Sequence, residues 1–355
     1  MKTEYLKKWQ NEFDKCIRCA YCFEGCPVFK DLGWDSNGAR GRVIMSYGLL
    51  SGELEPSQYI ADKLFQCTFC KDCTERCSAG VNAPEIVAAA RADLVKAGFA
   101  LDTQKYMVKN VQETGNIFGD TETIIPVQKG EYPLFIGCQY LSRPNQTKKY
   151  IKILEKLGIK PQVYEEICCG FPLKALGFEE DFQQHKNKFK KSFSSQKVMA
   201  FCPTCAMFMK EEYGMDVQHI LQVIADKIPS ATLDMKVTYH DPCDLSRGMK
   251  IIEEPRKILH KLGVEVVEMK NSKLQSRCCG GGGGILMSDA ELSNRIAKKR
   301  IEEALETGVD ILVTPCPTCE QVLKKAAQEI SESEGKTIAV RNLADLIWKG
   351  VKKNA

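Results

Sequence analysis

The chain has 355 residues, 44% hydrophobic and 27% charged, enough for two or three conventional cores. Its 50 Lys and Arg against 46 Asp and Glu leave a net charge of +4 with both signs interspersed, which excludes the basic stripe of a nucleic-acid binder and a trap for acidic substrates. No apolar run approaches the roughly 18 to 20 residues of a membrane span. Residues 1–10 also lack the apolar stretch of a secretory signal, so a cytoplasmic protein is expected, membrane-associated only through a partner subunit. The abnormal number is 18 cysteines. In a long chain without a signal, C-x-x-C groups point to metal rather than to disulfides.

Residues 2–14 place Tyr5, Leu6, Trp9 and Phe13 at helical spacing, a short lead-in helix. Cys16, Cys19, Cys22 and Cys26 follow, with Pro27 behind them, in the run typical of bacterial ferredoxins. A second run, Cys67, Cys70, Cys73 and Cys77, has Ser78 where the proline usually sits. Three thiolates on one tight turn can cap three irons of a cubane, and the fourth iron takes its ligand from the other run. The expected sets are Cys16, Cys19, Cys22 and Cys77 on one [4Fe–4S] cluster, and Cys67, Cys70, Cys73 and Cys26 on the other. Zinc would use paired C-x-x-C groups and has no need of the triple spacing.

Forty residues separate the runs, with helical segments over 42–50, closed by Ser51-Gly52, and over 57–65. This long helical spacer resembles the α-helical ferredoxin module of succinate-dehydrogenase-type iron–sulfur subunits. Arg40-Gly41-Arg42 reads as a solvated helix end. A helix over 85–97 stops at Gly98, and residues 101–131, with loops around 115–120 and 126–130, read as a linker.

From residue 132 strand and helix patterns alternate, which implies α/β layers on a mainly parallel sheet. Strands are expected over 132–136, 161–164 and 198–201, with helices over 148–157 and 178–193. The order repeats with strands over 236–239, 264–269 and 311–314 and helices over 253–262 and 289–306. Each copy carries five cysteines as one, an adjacent pair and a C-P-T-C group, so the part is a duplication. The first copy has Cys138, then 29 residues, Cys168-Cys169, then 32 residues, and Cys202 with Cys205. The second has Cys243, then 34 residues, Cys278-Cys279, then 36 residues, and Cys316 with Cys319. Each group is expected to follow a strand, in the crevice at the carboxyl ends where open α/β sheets place ligands. The expected units are 1–100, a helical two-cluster module; 101–131, the linker; 132–229 and 230–355, the two α/β copies.

Cys243, Cys278-Cys279-Gly280 and Cys316-Pro317-Thr318-Cys319 resemble the CCG domain of heterodisulfide reductase catalytic subunits. A ferredoxin-like half followed by two CCG units is similar to the fused form of that enzyme. The resemblance implies two non-cubane [4Fe–4S] clusters beside the two cubanes. Cys138, Cys168, Cys169, Cys202 and Cys205 would hold one, and Cys243, Cys278, Cys279, Cys316 and Cys319 the other. These sets use every cysteine. The first copy is a few residues tighter than the usual CCG spacing.

The implied reaction is reduction of a small-molecule disulfide between the two CCG units, with electrons from a flavoprotein, a ferredoxin-type protein or a membrane cytochrome subunit. The same layout resembles iron–sulfur subunits of glycolate and lactate oxidases and of anaerobic glycerol-3-phosphate dehydrogenase. The alternative is therefore a relay between such a flavoprotein and a quinone or cytochrome. His240, close to Cys243, is a candidate catalytic proton donor, or orients the Cys243 loop through a hydrogen bond. Gly280 to Gly284 is no phosphate loop, since it lacks the lysine that such loops carry. It lets backbone approach cluster sulfides or substrate closely, or is a flexible turn. Met199, Met207 and Met209 read as packing.

Overall fold

The computed structural model describes residues 3–119, 125–193, 195 and 197–353. Asp120, the end of an expected loop, and the outermost residues of the first and last expected units lie outside them. The N-terminal part is helical, with helices Gln10–Lys15, Ala39–Ser51, Gln58–Phe65 and Ala83–Lys96. Ser57 caps the third by accepting the Ile60 N–H, and Gly52 closes the second in the left-handed conformation. Leu6, Leu64, Phe65, Ile86, Ala90 and Leu94 form its core. The buried Asp93 carboxylate accepts the backbone N–H groups of Glu4, Tyr5 and Leu6 and so pins the chain's entry to this core.

Two α/β units follow. Strands β1 (Tyr132–Phe135), β2 (Pro161–Val163), β3 (Lys197–Ala200) and β4 (Asp216–His219) pair in the order β2-β1-β3-β4. Strands β5 (Met235–Tyr239), β6 (Val264–Val266), β7 (Ile311–Thr314) and β8 (Ala339–Asn342) pair as β6-β5-β7-β8. Every pairing between these strands is parallel. The chain is therefore a helical ferredoxin-type module followed by two repeated parallel α/β units. β6 stops at Val266, three residues short of its expected end, because the chain turns away toward Cys278.

The units are not separate bodies. Val237, Tyr239, Leu259 and Leu343 of the second share one hydrophobic cluster with Leu134, Tyr150 and Phe201 of the first. The segment read as a linker carries helix Asp102–Thr114, whose Met107, Val108 and Val111 join that same cluster. Its apolar face was visible in the sequence. Its docking partner lies far along the chain and was not.

Candidate metal centres

Local backbone prepares the N-terminal sites. Arg18 and Ala20 in the first run, and Phe69 and Lys71 at the matching places in the second, all have φ between 54° and 66°. Non-glycine residues avoid this region, so two identical pairs of strained residues mark turns built to converge thiols. Cys16, Cys19, Cys22 and Cys77 line one pocket together with Cys73 and Arg40. Cys26 instead lies buried beside Cys67 and Cys70, where burial pushes its thiol up and the Arg42 guanidinium opposes the shift.

Arg40-Gly41-Arg42 is not a solvated helix end, which corrects the sequence reading. Arg42 is buried, with Nε donating to the Lys63 carbonyl and a terminal nitrogen 4.0 Å from the Cys26 sulfur. Arg40 pairs with Asp35, donates to the Arg18 carbonyl and lies over the Phe23 ring. Converging thiolates need compensating positive charge, and this helix start supplies it on both sides.

In the α/β units the C-P-T-C groups sit at helix starts. Cys202 and Cys316 are the N-cap residues of Pro203–Tyr213 and Pro317–Glu334, with proline at the first helical position. Cys205 and Cys319 fall in the first turn, where their hydrogen bonds with Cys169 and Cys279, with burial, push their own thiols up and help lower those of Cys169 and Cys279 to about 6 and about 5. The adjacent pairs are held differently. Gly170 and Gly280 donate N–H to the sulfurs of Cys168 and Cys278 at 3.5 and 3.3 Å. Gly280 has φ of +86°, and a Cβ there would meet the Ser293 carbonyl at 2.5 Å, so only glycine fits. Cys168 lies five residues beyond β2, but Cys278 lies twelve beyond β6, on a long excursion.

Nine of the ten cysteines of the two units line one cavity of about 800 Å³ between them. Cys278 is the exception and turns to the ferredoxin module. Its thiol partners Cys70, and this contact, with burial, pushes Cys70 well up. Arg247 crosses the same seam: Nε donates to the Cys70 carbonyl at 2.7 Å, and a terminal nitrogen to those of Leu274 and Ser276. The glycine run is explained here too. A Cβ on Gly282 would meet the Thr68 carbonyl at 2.5 Å, and one on Gly283 the Cys67 carbonyl at 2.2 Å. The run lines the cavity on one side and lets the backbone of the second ferredoxin run press against it on the other.

His240 is 1% exposed and does not line the cavity. A ring nitrogen and the sulfurs of Cys279 and Cys319 lie within 4.8 Å of one another. Arg300 Nε donates to His240 Nδ1 at 3.1 Å, so the ring proton sits on Nε2, which has no partner among the described protein groups. Burial, then the Arg300 charge, hold the imidazole well below the ordinary histidine range, so it is neutral.

Strand register gives the first-unit counterpart. Leu134 pairs with Met199 and Tyr239 with Val313, each partner three residues before its C-P-T-C group, which makes Phe135 equivalent to His240. Phe135 packs edge-on against Phe189 at 5.7 Å, where the second unit has His240 and Arg300. One unit therefore backs its cysteines with an apolar aromatic pair and the other with a polar, charged one. In the first, Glu166 accepts the Ile136 and Gly137 N–H groups at 2.7 and 2.8 Å, and burial raises it to about 8. The sequence reading missed Arg247, Glu166 and Arg300. Arg300 had a signal, since it stands in the apolar stripe of Ile296, Ala297, Ile301 and Ala304.

The donor sets suit soft metal. All 18 cysteines are free thiols, and a ring nitrogen of buried His240 lies within 4.8 Å of two of their sulfurs. Comparison with known proteins agrees. Residues 132–210 and 237–324 match the cysteine-rich CCG domain, and residues 12–81 a 4Fe-4S dicluster domain. A subunit of the dihydromethanophenazine:CoB–CoM heterodisulfide reductase of Methanosarcina barkeri is 31% identical, over 95% of this chain and 93% of its own. The EtfAB:quinone oxidoreductase of Syntrophomonas wolfei is 25% identical over 96% of this chain and 58% of its own. A Helicobacter pylori hypothetical protein shares the fold, with a TM-score of 0.61 at 8% identity over 98% of this chain and 76% of its own.

Proposed function

The chain belongs to the heterodisulfide reductase family of iron–sulfur oxidoreductases, and on that basis we propose that it cleaves a disulfide to two thiols in the cavity between its α/β units. The observation that carries this is that nine cysteines of the two five-cysteine sets converge on one cavity, while the tenth, Cys278, faces Cys70. Cys138, Cys168, Cys169, Cys202 and Cys205 would hold one non-cubane [4Fe–4S] cluster, and Cys243, Cys278, Cys279, Cys316 and Cys319 the other. Cys16, Cys19, Cys22 and Cys77, and Cys67, Cys70, Cys73 and Cys26, would hold the two cubanes. When bound, these clusters supply electrons one at a time. The substrate S–S bond breaks as two electrons and two protons arrive, and two thiols leave. The Cys70–Cys278 contact gives electrons a short way from the ferredoxin module to the second unit, and Arg247 holds that seam closed.

His240 serves as a positioning residue rather than as the proton donor. It is neutral and buried away from the cavity, its Nε2–H has no partner among the described protein groups, and a ring nitrogen lies within 4.8 Å of the Cys279 and Cys319 sulfurs. Hydrogen bonds to cluster sulfurs raise reduction potentials. His240→Phe, which installs the first unit's residue, should lower the potential of one non-cubane cluster by about 59 mV or more, a tenfold change for a one-electron couple. Iron content should stay unchanged, and redox-titrated EPR reads the shift.

Crossed ligation has its own test. Cys26→Ser should disturb the cluster of Cys67, Cys70 and Cys73 although Cys26 belongs to the first run. An altered EPR signal from the Cys16, Cys19 and Cys22 cluster instead would refute the assignment.

The function is tested with anaerobically reconstituted protein carrying about sixteen irons, four per cluster. Reduced viologen should drive cleavage of disulfides from a substrate panel by this chain alone. The competing relay reading draws on the quinone-oxidoreductase relative and predicts electron acceptance from a flavoprotein with no disulfide turned over.

A further inference from the structure

Among the described residues that line the cavity there is no lysine, arginine or histidine, and its charged members are Asp102 and Asp244. A buried anion needs a cation or several N–H donors, and without them its desolvation is not recovered. The adjoining groove shares Phe69, Phe171 and Ala175 with the cavity and holds Lys71 and Lys174. Both are already engaged, Lys71 by Glu211 and Lys174 by Glu85 and Glu212. Helix Asp102–Thr114 reaches the lining with its N-terminus, but its first residue is a carboxylate that occupies the positive end of the dipole.

The rest of the lining is uncharged: threonines, Asn110 and Gln139 alternate with cysteine, glycine and large apolar side chains. Tyr106, Phe118 and Leu286 are 67%, 47% and 41% exposed, and all three belong to this cavity. Large hydrophobics left open to solvent around one cavity mark a binding mouth. Phe171, Pro172 and Met287 continue the apolar surface along the cavity wall.

We infer that the cavity takes a disulfide whose two halves carry no anionic group, with uncharged and largely apolar substituents. This rests on the disulfide-reductase reading above. The S–S bond is reduced by two electrons from a one-electron donor acting through the ferredoxin module, two protons come from water, and two neutral thiols are released.

Dithiodipropionic acid and its dimethyl ester test the inference, because they share a disulfide skeleton and differ in charge. With reduced viologen as donor, the diester should exceed the diacid in kcat/KM by roughly tenfold or more, the ratio that about 1.4 kcal/mol of unpaired charge produces. Calorimetric titration of the oxidised protein without donor should show the same order of affinity. Leu286→Lys should narrow both ratios by bringing the diacid closer, and Leu286→Gln should not. Iron content of each variant confirms that the clusters remain. Equal or better binding and turnover of the diacid by the unaltered protein would overturn the inference while leaving the reductase reading intact. An unchanged ratio in Leu286→Lys would place the substrate outside this cavity and overturn it as well. Four-cluster protein that neither binds nor cleaves either compound, or any other disulfide tried, would overturn the reductase reading itself.

Discussion

Cys279→Ser should abolish disulfide cleavage, by at least roughly 100-fold, while the two ferredoxin-type clusters still reduce. Cys279 is 4% exposed, lines the cavity, and has Cys278, Cys319 and His240 around it. A serine hydroxyl is a harder and far less acidic ligand than a thiol, so it substitutes poorly at a site built from soft donors. The first unit offers an internal control. Cys169→Ser removes the equivalent cysteine from the other side of the cavity, and equal losses in both variants would mean that the two sites act together. Adding a product thiol to the oxidised protein should also generate an EPR signal that Cys279→Ser lacks. Persistence of both turnover and the thiol-dependent signal in Cys279→Ser would remove the second unit from the reaction.

Arg91→Met should destabilise the protein by about 3 kcal/mol or more, taking the orphaned Cys67, Ala175 and Gly283 carbonyls at the low end of about 1 kcal/mol each, since the Leu64 carbonyl keeps the Cys67 N–H. Arg91 is fully buried in an alanine-rich helix and makes five hydrogen bonds, to the carbonyls of Leu64, Cys67, Ala175 and Gly283. Those four belong to the helical module, the second ferredoxin run, the first α/β unit and the glycine run of the second. The guanidinium also stacks over Phe65 and Phe69. Arg91→Lys keeps the charge but supplies one compact donor group in place of a planar fork, so it should recover only part of the loss. Thermal unfolding and iron retention report the effect, and the cluster of Cys67, Cys70 and Cys73 should be lost first. A change of less than about 1 kcal/mol would show that water replaces the guanidinium at this junction.

The contrast between these two residues separates what the chain says locally from what it says only when folded. Cysteine spacing suggested the ferredoxin-type cluster sets, because ligands within one turn have fixed sequence distances, and the resemblance to CCG domains implied the other two. The duplicated strand–helix order carried the parallel sheets for the same reason, since periodicity is a local property. Arg91, Arg247, His240 and Arg300 are different. Each of their roles depends on a partner 24 to 192 residues away, such as Gly283 for Arg91, Cys70 for Arg247 and His240 for Arg300. A buried guanidinium reads in sequence as one more surface charge, as the misread Arg42 shows. The glycine run was legible as close approach, but what it approaches, the Cys67 and Thr68 carbonyls, emerges only when two modules meet. The sequence by itself determined the repeat and the fold class, and it supplied the cluster ligands as an expectation. Tertiary packing decided which cysteine faces which module, that one cavity serves both units, and that this cavity is lined without a cation, because long-range contacts leave no spacing to read.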